Sequence, residues 1–206
     1  MFENRTNAGE LLGLKLSSCK ESGYLLVAIP RGGVVVGKAI SAMLGIPLSF
    51  VLTRKIGAPG QSELAIGAVA SGGIIVRDEK LISDLSVSEK YINKEIKKEK
   101  KVIAERLKKY GKCTVSLRGK RAILVDDGIA TGATVKAAIG YLREQGAGKV
   151  VLAVPVAPKD TIAELKPLVD KIVVLNTPDD FSSVGQFYRY FPQVTDEEVI
   201  NLLCQT

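Results

Sequence analysis

The sequence predicts an α/β protein, a parallel-sheet core flanked by helices, on three observations. Short apolar runs of strand length alternate with longer amphipathic stretches, the pattern of a parallel sheet covered by helices. One of these runs, Ile123-Leu124-Val125, delivers two adjacent acids, Asp126 and Asp127, into a Gly- and Thr-rich turn that opens a helix. The composition, 46% hydrophobic and 25% charged over 206 residues, suits one well-buried core.

Taken in order, an opening helix covers about residues 7–18 and leads to a strand at 24–29. Pro30-Arg31-Gly32-Gly33 turns into a helix over 33–44, and a second strand follows at 48–53. The stretch RKIGAPGQSE, residues 54–63, carries Gly57, Pro59 and Gly60 and reads as a loop. Residues 64–70 and 74–77, joined by Ser71-Gly72-Gly73, read as a β-hairpin. Ser86-Val87-Ser88-Glu89 has the form of a capping box and starts a basic helix that ends at Tyr110-Gly111. A strand at 121–125 precedes the acid turn, and a helix from near Thr131 runs to Gln145, where Gly146 and Gly148 terminate it. A strand at 150–154, a short helix after Pro158 and a strand at 171–175 complete the core. From Asn176 the chain becomes aromatic, with Phe181, Phe187, Tyr188, Tyr190 and Phe191, and it finishes in a small helix near 196–203. Without an internal repeat or a low-complexity linker, residues 1–206 read as a single domain.

Composition narrows the chemistry. The absence of histidine removes Ser–His–Asp and Cys–His catalysis, HExxH metalloproteases and most zinc enzymes. Three cysteines at wide spacing, Cys19, Cys113 and Cys204, suit a reducing cytoplasm rather than a disulfide framework. No apolar run reaches the ~18 residues of a bilayer span, and the opening residues lack a signal-peptide layout, so a cytoplasmic location is expected. Of the net charge of +7, most lies in residues 85–112, where ten Lys/Arg stand against four Asp/Glu. That segment reads first as a solvated helix face; nucleic acid is a second, unfavoured partner class.

The acid turn pairs two chemistries. Backbone N–H groups of Gly128, Ile129, Ala130, Thr131, Gly132, Ala133 and Thr134, with two Thr hydroxyls, can wrap a phosphate at a helix start. The neighbouring carboxylates suit hydroxyls or a metal ion, so a sugar phosphate fits. A decoy lies earlier: Gly32 to Lys38 matches G-x-x-x-x-G-K, but Ala39 stands where a P-loop needs Ser or Thr, and Val34-Val35-Val36 suit a helix.

The segment ILVDDGIATGAT resembles the phosphoribosyl-pyrophosphate (PRPP) motif of type I phosphoribosyltransferases: a hydrophobic strand, two acids, then a small-residue loop ending T-G-x-T. The resemblance implies that Asp126 and Asp127 hold the ribose 2′- and 3′-hydroxyls and that residues 128–134 hold the 5′-phosphate. It assigns AIPRGG to the pyrophosphate loop, with Arg31, Gly32 and Gly33 on the leaving group and, in some members, a non-proline cis peptide. Arg54 and Lys55 match basic residues that end the second strand, with a flexible loop and hairpin at about 55–80 closing over the site. The tail at about 176–206 becomes a hood. Its order P-D-x-F then V-G is similar to hypoxanthine–guanine phosphoribosyltransferases, which puts Phe181 against the base. Two departures weaken that base assignment: Ala130 replaces a further acid, and Val154-Pro155-Val156 offers no base-reading Lys. The family also implies Mg²⁺, held mainly by PRPP with Asp126 and Asp127 as the candidate protein ligands, a nucleobase-like acceptor and a homodimer. A PRPP-sensing or RNA-binding regulator on the same fold is the alternative.

Overall fold

In the computed structural model, which describes residues 1–20, 23–111 and 117–204, the expected parallel sheet forms the centre of the molecule. Five strands lie in the order β2-β1-β6-β7-β8: β1 (Tyr24–Ala28), β2 (Leu48–Phe50), β6 (Arg121–Val125), β7 (Lys149–Val156) and β8 (Lys171–Asn176). Every pairing is parallel. Such strands are buried on both faces, which is why they read as continuous apolar runs rather than as alternation. Leu26, Ala28, Ile123 and Val125 pack on one face with helices α1 (Arg5–Lys15) and α2 (Gly32–Leu44). Leu25, Val27, Ala122 and Leu124 pack on the other with α5 (Ala133–Glu144). A third, smaller cluster gathers Phe2, Ala8, Val156 and Tyr188 under the aromatic tail.

The winding places a crevice. From β1 the chain crosses through α2 to β2 on one side; from β6 it crosses through α5 to β7 on the other. Strands β1 and β6 are neighbours, with Ala28 opposite Val125. Strand order reverses between them, and open α/β sheets bind ligands outside the carboxyl ends of strands at such a point. The turns after β1 and β6 are the two flagged in the sequence.

Three expectations need correction. Residues 54–63 are not a loop: β3 (Thr53–Ala58) and β4 (Gln61–Ala70) form a tight hairpin, and with β5 (Ile75–Arg77) make a three-stranded antiparallel sheet. Pro59 and Gly60 occupy only the two-residue tip, where Gly60 has φ +74°, while Ile56 and Ala58 are buried. A bulge at Gly57 absorbs the irregularity that reads as a break. The second core strand accordingly ends at Phe50, short of Thr53.

A short helix α3 (Glu79–Asp84), capped by Asp78, then fills a stretch given no element above. The capping box is also displaced: Ser88 caps α4 (Glu89–Tyr110) by accepting from the Tyr91 N–H, while Ser86 has φ +50° in the turn before it. The remaining elements, α6 (Lys159–Leu165) and α7 (Asp196–Cys204), fall where the pattern put them. Among the described residues, no helix is long and apolar enough to cross a membrane. Cys19 is buried and Cys204 exposed, while Cys113 lies outside the described residues.

Candidate active site

Strand β6 ends at Val125, opposite Ala28, the last residue of β1, while β7 runs on to Val156, and Asp126 and Asp127 step off the sheet into the crevice. They face the turn after β1. A Cβ on Gly32 would overlap Asp127 Oδ2, and one on Gly33 would stand 2.9 Å from the Val125 carbonyl oxygen. Glycine is required at both positions by this close approach, which brings the two turns into one site. The Pro30–Arg31 peptide bond is cis.

The acid pair is unevenly solvated. Asp126 Oδ1 accepts the Asp127 backbone N–H at 2.8 Å. Burial, followed by the charge of Asp127, holds the Asp126 carboxyl well above the usual aspartate range. Asp127 Oδ2 accepts from Arg5 Nε at 2.7 Å, and its carbonyl oxygen accepts the Tyr188 hydroxyl at 2.6 Å. Burial and the adjacent Asp127 push the Tyr188 phenol up, so it remains a neutral donor.

Beyond the acids the chain enters α5. Gly132, the N-cap, has φ +76°, a left-handed conformation that glycine adopts at no steric cost. No side chain caps this helix, so the first-turn N–H groups at Ala133, Thr134 and Val135 point outward with the positive end of the helix dipole. The helix begins two residues later than Thr131, which lengthens the turn available for a phosphate. Residues Gly128 to Val135 line a cavity of 270 Å³ together with Lys55, Glu63, Ala65 and Val184. The Ala130 carbonyl is held by the Thr161 hydroxyl at 2.7 Å, which fixes the far side of the turn.

Strand alternation separates the two basic candidates. Lys55 joins the phosphate-turn cavity, pairing with exposed Glu63 at 2.7 Å. Arg54 points to α4 instead, where its Nε donates to the buried carboxylate of Glu99 at 2.6 Å. Arg31 is half-buried at the start of α2. Residues Gly32 to Lys38 are helical, so the P-loop decoy wraps nothing.

The tail forms a small aromatic layer. Phe181 stacks on Phe187 at 5.5 Å, Tyr188 on Phe191 at 4.8 Å, and Phe2 tilts against Tyr188 at 5.3 Å. Val184 presses on Gly128, where a side chain would collide with it. Arg5 and Tyr188 are site residues that the sequence reading missed. Arg5 opens an amphipathic helix and Tyr188 sits in an aromatic run, and neither position signals a partner more than 60 residues away. On the far side of Arg5, a 430 Å³ cavity lies between α1, α2, α7 and the tail. Among the described residues, no three His, Cys, Asp or Glu side chains gather as a metal cage.

Known proteins share this fold. The family model for the phosphoribosyl transferase domain matches residues 7–192. A Mycobacterium tuberculosis protein, provisionally named a phosphoribosyl transferase, is 37% identical over 205 residues, covering 98% of this chain and 46% of its own length. The chain therefore spans about half the length of that relative. A crystal structure from Thermus thermophilus superposes with a TM-score of 0.83 at 36% identity, covering 100% of this chain and 98% of that one. A structure from Aquifex aeolicus, at 14% identity and TM-score 0.51, covers 84% of this chain and 74% of its own and shares the fold alone.

Proposed function

This chain belongs to the phosphoribosyl transferase domain family, and on that premise we propose that it transfers ribose 5-phosphate from PRPP to a nitrogenous base, releasing pyrophosphate. The observation that carries the reading is the juxtaposition at the switch point. Two carboxylates follow β6 beside the glycine turn after β1, and an uncapped helix starts at Ala133, six residues past Asp127.

In this reaction the C1–O bond breaks, pyrophosphate keeps the electron pair, and a nitrogen lone pair bonds to C1 from the opposite face of a cation-like ribose. Asp126 and Asp127 accept hydrogen bonds from the ribose hydroxyls, and their negative charge favours the developing cation. The turn from Gly128 to Thr134 grips the 5′-phosphate through backbone N–H groups and the Thr131 and Thr134 hydroxyls. The backbone at Arg31, Gly32 and Gly33 serves the leaving pyrophosphate. Lys55 brings a positive charge to it from the β3–β4 hairpin, which also excludes water. Arg54 anchors that hairpin to α4 through Glu99. Phe181 offers its ring to the acceptor base.

The residues present fit magnesium that arrives with its substrate rather than a resident ion. Among the described residues only two carboxylates converge here, and hard oxygen donors with phosphates are the usual Mg²⁺ environment. Asp126 and Asp127 would be its protein ligands, and the ion would supply neutralising charge at the departing pyrophosphate.

The test is incubation with PRPP, Mg²⁺ and a panel of purines, pyrimidines and pyridine carboxylates while pyrophosphate is followed. Release that depends on one acceptor class supports the proposal and names the base. Release without any acceptor would identify a hydrolase instead, and no release with any member would contradict the reading.

A further inference from the structure

We infer that Arg5 is a positioning residue for the transfer: it orients Asp127 toward the ribose and ties the acid pair to the aromatic hood. The inference rests on the proposed function for its substrate, while its structural half stands independently. Arg5 comes from the first turn of α1, and its side chain is only 9% exposed. A guanidinium withdrawn this far from water is costly unless its donors and charge are used. Here two of its nitrogens and one face have partners. Nε–H donates to Asp127 Oδ2 at 2.7 Å, and Nη1–H donates to the Pro192 carbonyl at 2.7 Å. The face of the group lies 3.7 Å from the centroid of the Phe191 ring.

Because guanidinium is rigid and planar, these three contacts are geometrically linked. Moving Phe191 or Pro192 rotates the plane that fixes Asp127. With Oδ2 engaged by Arg5, the guanidinium sets the direction in which the Asp127 carboxylate faces the crevice. Tyr188 holds the main chain of the same residue through its carbonyl, so side chain and backbone of Asp127 are both anchored to the hood. Gly32 completes the arrangement: a Cβ there would stand 2.7 Å from Arg5 Nε as well as overlapping Asp127. The chain's first residues reinforce the coupling. Phe2 N–H donates to the Phe187 carbonyl at 2.7 Å, Arg189 N–H to Phe2 at 2.9 Å, and Tyr190 N–H to Glu3 at 3.0 Å. The opening segment and the hood thus move as one layer over the acid pair.

The experiment compares wild type, Arg5→Met, Arg5→Lys and Phe191→Leu by two readouts. These are PRPP affinity by calorimetry with Mg²⁺ and hydrogen exchange at the Arg189 and Tyr190 amides without ligand. Arg5→Met should weaken PRPP by about 10- to 100-fold, the scale for losing a group that orients a ligand residue. Arg5→Lys keeps the charge but not the fork and should recover to within about tenfold of wild type, with hood exchange still fast. Phe191→Leu removes the ring under the guanidinium; it should speed exchange and weaken PRPP by less than Arg5→Met does, and it carries the test should Arg5→Met fail to fold. Wild-type affinity in Arg5→Met, or hood exchange unchanged in all three variants, would overturn the inference. Absence of PRPP binding in the wild type itself would defeat the proposed function, and the exchange readout would still decide the coupling.

Discussion

The phosphate turn and the layer above it meet at the same acid pair but are built differently. The turn is contiguous, running from Asp126 to Thr134 between one strand end and one helix start, and its donors are backbone groups. The layer above is assembled from Phe2 to Arg5, the β3–β4 hairpin and the tail near Phe181 to Pro192, and it acts through side chains. A contiguous backbone site is dictated by local conformation, so its geometry exists before ligand arrives. A layer drawn from distant segments depends on the whole fold, and it can be retuned one side chain at a time. The difference predicts that changes to the turn abolish binding, whereas changes to the layer grade it.

The largest effect should come from Asp126→Asn with Asp127→Asn. PRPP affinity measured by calorimetry should fall by more than about 100-fold, while circular dichroism shows the fold retained at the assay temperature. An unaltered affinity would break the comparison at its root. Next, Gly32→Ala forces Asp127 away from Arg5, because the added Cβ overlaps Oδ2. A hydrogen bond to a charged group is worth about 1.5–3 kcal/mol, so denaturant unfolding should register a loss of that order together with weaker PRPP binding. Full stability in this variant would mean that the two turns do not touch.

Lys55→Met should act more gently. Lys55 is 39% exposed and its partner Glu63 is 91% exposed, so the pair contributes little to stability and is free to exchange for another anion. We expect kcat to drop on the order of tenfold, with PRPP affinity nearly unchanged, because the charge is used as pyrophosphate departs. An equal loss in affinity would move Lys55 from the covering layer into the ground-state site.

The smallest effect concerns the ligand-free protein. The Asp126 carboxyl is held above its unfolded value, so on raising pH the unfolded chain gives up this proton first. The folded state then binds more protons, and stability falls across the window from the ordinary aspartate range up to the raised value. Asp126→Asn removes that penalty, at most about 1.4 kcal/mol for each pH unit of the window. Its melting temperature should exceed wild type at pH 8 and converge with it at acid pH. A gap that instead widens toward acid would show that Asp126 is stabilised by its surroundings as a carboxylate.

How much of this was legible follows the same division. Residues 121–134 gave the strand, the acids and the turn because apolar period, charge and glycine act there within one short window. Alternation of strands and helices gave the parallel sheet, but the order that sets β1 beside β6, and so the crevice, is a property of the fold. The hairpin did not: Gly57, Pro59 and Gly60 look like loop residues until the bulge and the two-residue tip are seen in register. Arg54 and Lys55 are neighbours of like charge, and only strand alternation sends one to Glu99 and the other to the phosphate turn. Arg5 and Tyr188 carry no local mark, since their roles come from contacts 122 and 61 residues away.

The most direct test is a crystal structure with PRPP and Mg²⁺ bound. The account predicts the 5′-phosphate within hydrogen-bond reach of the Ala133 and Thr134 amides, and the ribose hydroxyls on Asp126 and Asp127. It also predicts Arg5 still seated between Asp127 and Phe191. A sugar phosphate bound elsewhere, with both aspartates untouched, would contradict it.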